Sequence, residues 1–337
     1  MEIEYLNQSN QAQWDDFVEK SSSAWFRHTR DWQKYSSCCR FDSNTRNFSF
    51  MVKQDGKIQA AVPLLAEYSY PEMTFDAFSM YGDYTPLAAF ADDSNVSRAN
   101  VVEAIMDRIR KIASENGIRY GKFIIDPLIE YPYFKDFAPF DLLEEGASLS
   151  FKTTNIIDLT ADLDTIIRRM RKGHKAAIKQ VAKLPGYHVE VYDNTNITME
   201  KVLIFKEIHK KDAGRQTRTD ASWECMYEWI RDGRGTLVML YLDELQGYGA
   251  AALVMHWKKS AYYASFGTLD SYFLGGHAGH IIQWEAIKHL KAKGIERYET
   301  GDNYYGSEDP KLHEIGKYKK GFRSAEVPKI TFRLDFQ

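Results

Sequence analysis

The chain has 337 residues, 44% of them hydrophobic, so it can bury a full core, and its length implies two domains at roughly 100 to 200 residues each. Lys and Arg total 44 against 47 Asp and Glu, a formal net charge of -3, which excludes bulk attraction to nucleic acid or anionic lipid and leaves any polyanion to a local patch. Cys38, Cys39 and Cys225 form neither a disulfide framework nor a zinc site, and no segment approaches about 18 consecutive apolar residues, so a reduced, cytoplasmic protein is expected.

In chain order, a helical pattern covers residues 11–20, followed by a mixed aromatic and basic stretch from Trp25 to Trp32. Apolar runs at 48–52 and 58–65 flank Gln54-Asp55-Gly56-Lys57, a hairpin signal. A strand at 75–80 leads into the turn Tyr81-Gly82-Asp83-Tyr84. Val101, Val102, Ile105, Ile109 and Ile112 then mark an amphipathic helix that Asn116-Gly117 ends, with a strand at 120–126.

Residues 162–183 read as a basic amphipathic helix with a break at Gly173. Arg171, Lys175 and Lys179 fall on one face without an acidic partner, and a bound phosphate would relieve their repulsion. Residues 209–218, with Arg215, read as a basic polar loop. Strands at 237–242, 250–256 and 262–266 precede the loop Gly275-Gly276-His277-Ala278-Gly279. That loop opens a helix carrying Ile281, Ile282, Trp284, Ala286, Ile287 and Leu290, which Gly294 closes, and a strand at 295–300 follows.

The order hairpin, strand, helix, strand therefore occurs twice, and the helix exits agree: Asn116-Gly117-Ile118 against Lys293-Gly294-Ile295. Two similar α/β (α+β) domains are expected, residues 1–150 and 151–337, each a mixed sheet flanked by helices, with a ligand cleft at their junction. A helix that follows a glycine-rich loop presents unpaired N–H groups, which bind phosphate or hold a developing oxyanion. Gly276, His277, Ala278 and Gly279 are the donor-site candidates on that ground.

The segments Thr154-Asn155-Ile156-Ile157-Asp158-Leu159, Lys172-Gly173-His174-Lys175, Gly276-His277-Ala278-Gly279, Tyr298-Glu299-Thr300-Gly301 and Tyr318-Lys319-Lys320-Gly321-Phe322 resemble, in this order, the Fem-type (FemABX-like) peptidyltransferases. The resemblance covers nearly the whole chain and implies two tandem GNAT-like domains that form an amide on an amine of a cell-envelope or nucleotide-sugar precursor. It implies aminoacyl-tRNA or acyl-CoA as donor substrate, with no bound cofactor or metal.

By the same resemblance Tyr318-Lys319 stands where the family has Phe-Lys, with Lys319 stabilising charge, and the helix around His174 and Lys175 contacts acceptor phosphates. Arg171, Lys179 and Arg215 are assigned to those phosphates too, and Asp83 and Tyr84 sit where relatives contact the acceptor. Asp302, His277 and Asp83 are candidate bases for the attacking amine. The chain departs from the acetyl-CoA-binding GNAT pattern at Phe273, where a Gln or Arg is usual, and it carries no heptad arm. A non-catalytic binder of a nucleotide-linked precursor is the reading from another class.

Overall fold

Asp55 and Gly56 carry φ of 51° and 74°, the two left-handed residues of a type I′ turn, so the Asp-Gly signal is realised as a two-residue hairpin. The computed structural model describes residues 1–69, 74–129 and 146–336, and its contacts divide the chain into two units, 1–151 with 329–337, and 152–328.

The first unit begins with β1 (Glu2–Tyr5), α1 (Gln11–Lys20) and α2 (Arg30–Cys38). Then come β2 (Ser43–Asn47), β3 (Phe50–Gln54), β4 (Lys57–Val62), β5 (Leu65–Ser69), β6 (Thr74–Phe78), β7 (Thr85–Pro86), β8 (Ala89–Phe90), α3 (Arg98–Asn116) and β9 (Tyr120–Ile125). One antiparallel sheet has the order β1-β3-β4-β8. The expected strand at 58–65 is two strands: Pro63, which has no N–H for a ladder, separates β4 from β5, and β5 joins another sheet. In that sheet β5 pairs β2 and β6 antiparallel, while β6 runs parallel to β9, the strand reached through α3.

The second unit contains β10 (Ser148–Asp158), whose residues 154–158 register on β15, then α4 (Leu163–Arg169), α5 (Lys172–Val181), β11 (Tyr187–Tyr192), α6 (Met199–Ala213), α7 (Asp220–Arg231), β12 (Gly235–Leu242), β13 (Gly247–Trp257), β14 (Ser260–Thr268), α8 (Ala278–Ala292), β15 (Arg297–Asp302) and α9 (Pro310–Lys320). Its strands lie in the order β11-β12-β13-β14-β15-β10, antiparallel except for β14 and β15, which the crossover through α8 makes parallel. Ile281, Ile282, Ala286, Ile287 and Leu290 of α8 pack with Val238, Leu240, Ala252 and Val254 of the sheet in one core.

The internal echo is present in detail. Gly117 has φ 68° and Gly294 φ 78°. Ile118 donates its amide to the Ala113 carbonyl (2.9 Å), and Ile295 donates to Leu290 (3.1 Å). Both helices end on the same glycine-centred turn with a buried isoleucine behind it, and both then enter a strand parallel to an earlier one of the same sheet, β14 for β15 and β6 for β9, although β7 and β8 come between β6 and α3. A helix crossing between two parallel strands of one sheet thus recurs in each half of this mixed α/β, tandem GNAT-like fold, with two extra short strands before it in the first.

Three expectations need correction. Residues 330–335 of β16 (Ala325–Asp335) register on β9, so 329–337 count with the first unit although the sequence reading placed them in the second. The basic helix is broken at Met170, whose backbone is extended, not at Gly173, because the Arg171 amide turns to the Gly321 carbonyl (2.9 Å) and α5 restarts behind it. Finally, residues 209–213 are the last turn of α6 and not loop; the helix stops at Gly214, with φ 68°.

Candidate active site

The parallel partners β14 and β15 are in register only over residues 260–262 and 297–299. Their carboxyl-terminal halves carry no mutual pairing, and the chain leaving β14 there turns through a glycine loop into α8. The crevice outside the carboxyl ends of parallel strands is where α/β sheets expose backbone and helix termini to ligands.

The loop takes its shape from three consecutive left-handed residues, Leu274 (φ 54°), Gly275 (66°) and Gly276 (82°). His277 caps α8 without a side-chain bond. Its carbonyl accepts the amides of His280 (3.0 Å) and Ile281 (3.3 Å), whereas the amides of Ala278 and Gly279 have no hydrogen-bond partner among the described residues. Two donors at the positive end of a 15-residue helix are thus left for a ligand.

Helix α9 closes this region. Gly316 lets it approach β15, since a Cβ there would stand 2.1 Å from the Asn303 carbonyl oxygen. The next turn carries Tyr318 and Lys319. The Tyr318 hydroxyl lies 2.8 Å from the place of a Cβ on Gly279, in the first turn of α8, and the Lys319 ammonium lies 2.7 Å from the place of a Cβ on Gly301, at the end of β15. Adjacent residues of α9 therefore reach α8 and β15 respectively. The Lys319 ammonium also sits 5.2 Å from the ring centroid of Tyr304, which has φ 53°. Thr300 donates its hydroxyl to the Lys319 carbonyl (3.5 Å), and Asn155 links Gly301 and Asn303 through its amide nitrogen at 3.2 and 2.5 Å.

The motif segments quoted above meet here. Tyr298 donates its hydroxyl to Gln283 of α8 (2.8 Å), and Thr154 donates to the buried Glu299 (2.6 Å). Asp302 closes β15 opposite Thr154 of β10 and is half-buried.

Behind Tyr318 is an aromatic cluster that the sequence reading did not anticipate. The His174 and His280 rings lie 4.6 Å apart, His280 is 5.3 Å from His277 and 5.1 Å from Tyr318, and His174 is 4.5 Å from Phe322. Burial, helped by the neighbouring His174 and His277 imidazoles, pushes His280 down to about 4, so it is neutral at pH 7. Burial also raises the Tyr318 phenol well above its ordinary value. Tyr318 Oη, His277 Nδ1 and His280 Nδ1 are buried without hydrogen-bond partners among the described residues. His280 follows His277 at i+3 in Gly-His-Ala-Gly-His, a spacing that puts both at the same helix end and could have revealed it.

Other expected residues fall elsewhere. His174 is buried, with its Nε2 2.9 Å from the Tyr318 carbonyl, and a Cβ on Gly321 would stand 2.2 Å from its ring. It joins α5 to α9, so the side chain expected to contact substrate is buried between helices. Arg171 precedes α5, Lys175 donates back to the Arg168 carbonyl (3.3 Å), and Lys179 is exposed; none of the three has an acidic partner within 4 Å among the described residues. Arg215 is exposed on the loop after α6, and among the described residues it shares no bond with α5.

In the first unit Asp83 and Tyr84 are half-buried. Tyr81 (φ 46°) and Gly82 (φ 83°) form the turn, Asp83 exchanges backbone bonds with Met80, and the Gly82 amide donates to Glu67 at 2.8 Å. Among the described residues no group of three or more His, Cys, Asp or Glu could hold a metal, and no helix is long and apolar enough to cross a membrane.

Residues 168–320 match the family model described as an acetyltransferase (GNAT) domain. No curated protein matches the chain. Among solved structures, the crystal structure of FemX is similar with a TM-score of 0.69 and 16% identity, covering 98% of this chain and 97% of that one. A tandem GNAT protein from the clavulanic acid biosynthesis pathway is similar with a TM-score of 0.57 and 13% identity over 99% and 98%. L-PGS from Bacillus licheniformis gives 0.57 and 11% over 98% and 92%. At these identities the likeness is one of fold. Residues 168–320 thus match a GNAT acetyltransferase domain, and the whole chain has the tandem GNAT-like fold of these structures.

Proposed function

We propose that the protein transfers an aminoacyl or acyl group from an activated ester or thioester to an amine of a cell-envelope precursor. The observation that carries this reading is that consecutive residues of α9 reach both elements, the Lys319 ammonium at the end of β15 and the Tyr318 hydroxyl at the start of α8, where two amides are unpartnered among the described residues. The names of the similar structures, FemX and L-PGS, favour an envelope acceptor.

In the reaction the amine lone pair bonds to the donor carbonyl carbon and the carbonyl pair moves onto oxygen. The oxyanion then collapses, expelling the ester oxygen or thiolate, and the nitrogen loses a proton. Fixed N–H donors and an ammonium stabilise the oxyanion or the donor phosphate without reorganising, and holding both substrates supplies much of the remaining rate. Asp302, one residue after Gly301, and His277, just before the two amides, are the candidate bases, with Asp83 a third. The half-exposed or exposed cations Arg171, Lys175, Lys179 and Arg215 are proposed to hold acceptor phosphates.

A second reading keeps the fold and takes acyl-CoA as donor, favoured by the same free amides of α8, which suit a pyrophosphate. Thermal shift with coenzyme A thioesters, UDP-sugars and a UDP-linked peptide precursor separates the two. A ligand that binds only the native state raises the melting temperature. A shift with coenzyme A selects the second reading, a shift with UDP-linked acceptors alone selects aminoacyl-tRNA as donor, and no shift with any of them rejects both.

A further inference from the structure

Tyr272, on the loop between β14 and α8, is 82% exposed, the most of any large hydrophobic side chain among the described residues. Its backbone is nevertheless pinned. The amide donates to Asp270 Oδ1 (2.8 Å), Thr268 Oγ1 donates to the Asp270 carbonyl (2.8 Å), and the Gly276 amide donates to the Tyr272 carbonyl (3.1 Å). The ring itself has no ring, cation or hydrogen-bond partner among the described residues. Tyr305, the other well-exposed tyrosine at this end of the sheet, differs in having Lys320 4.8 Å from its centroid. A large apolar ring held in water on a fixed backbone has both faces open for a flat partner.

What that partner is follows from its neighbour. The Tyr272 carbonyl is bonded to Gly276, two residues before Ala278, so Tyr272 is fixed on the loop that leads directly into the free amides of Ala278 and Gly279, which suit a phosphate. A flat π-face next to a phosphate is the pattern of a nucleotide. Both donor classes considered above carry one: coenzyme A has a 3′-phosphorylated adenosine diphosphate, and aminoacyl-tRNA bears its acyl ester on a 3′-terminal adenosine.

We propose that Tyr272 is the stacking platform for the adenine of the acyl donor. This rests on the reading of the site as one that takes such a donor. Base stacking on an aromatic side chain is strong enough that its loss weakens binding by about tenfold or more. Two sources of the adenosine remain, and they are separable by experiment.

Coenzyme A and an RNA minihelix ending in CCA are titrated by calorimetry into the full-length protein, its Tyr272→Ala and its Tyr272→Phe variants. Wild-type protein is expected to bind one of the two probes, identifying the source. Tyr272→Ala is expected to weaken that probe about tenfold and Tyr272→Phe to change it less than twofold, with all three melting together because the ring packs on nothing. If RNA is the source, a minihelix lacking the terminal adenosine should bind both wild type and Tyr272→Ala equally. Equal binding of the full probe by wild type and Tyr272→Ala overturns the platform and leaves the donor reading intact, whereas binding of neither probe to wild type overturns both.

Discussion

The Tyr318 hydroxyl occupies the space that a side chain on Gly279 would need, 2.8 Å from the position of its Cβ. Helices α8 and α9 thus meet through a glycine and a buried phenol that has no hydrogen-bond partner among the described residues. Gly279→Ala should cost about 1–3 kcal/mol by overpacking. Tyr318→Phe should leave stability unchanged or raise it, since it removes a buried unsatisfied hydroxyl. The double variant should be more stable than the sum of the two effects, as measured by urea denaturation; strict additivity would show that the two groups do not touch.

Lys319 over Gly301 is the second such contact. Lys319→Ala should lower turnover at least tenfold with little change in melting temperature, and an unchanged rate would remove it from the mechanism. Gly301→Ala should mimic part of that loss, because φ is 97° there and the new methyl would stand where the ammonium is. Steady-state kinetics beside circular dichroism distinguish a displaced ammonium from an unfolded chain.

Two glycines of similar appearance in the sequence should respond with opposite sign. Gly316→Ala drives a methyl to 2.1 Å from the Asn303 carbonyl oxygen and should destabilise by several kcal/mol or prevent folding. A Cβ on Gly173 meets nothing within 4 Å, and the residue is helical, so Gly173→Ala should stabilise by about 0.5–1 kcal/mol. Chemical denaturation reads both, and a stabilised Gly316→Ala would refute the packing of α9 on β15.

Stability should fall as acid is added before most carboxylates titrate. Burial, with Arg218 nearby, lowers His209 to about 4, and burial lowers His256 and His280 to about 4 as well. The unfolded chain, with imidazoles near 6.5, binds more protons between pH 6.5 and 4, so unfolding is favoured progressively over that window and not above it. Melting temperature against pH checks this, and histidine ring signals that titrate near 6.5 in the native protein would contradict it.

The basic surface on α5 should act through charge alone. Lys179→Ala is expected to weaken binding of a phosphate-bearing acceptor and flatten its salt dependence without lowering the melting temperature. His174→Ala should do the reverse, because that ring is packed between α5, α8 and α9. A salt-independent affinity would count against phosphate binding by this helix.

Elements whose signals are local were legible in the sequence. The Asp55-Gly56 hairpin, helix α1, the amphipathic helices α3 and α8 and their glycine exits all depend on turn conformation and periodicity within a few residues. The register of β10 and β16, helices α6 and α7 and the place of the break before α5 were not, since each is decided by partners distant in the chain. The Arg171 amide, for example, bonds to Gly321.

The candidate site divides in the same way. By itself the sequence determined that a glycine loop precedes a helix, that an aromatic-lysine pair lies near the end, and that the α/β pattern occurs twice, because composition and spacing are written into single segments. Only the tertiary structure decided that Tyr318 reaches α8 while Lys319 reaches β15, that His280 is half-buried and neutral, and that His174 faces inward. Those outcomes depend on how closely α9 approaches the sheet, and that distance is set by packing at Gly316, Gly279 and Gly321, where no side chain is present to signal it.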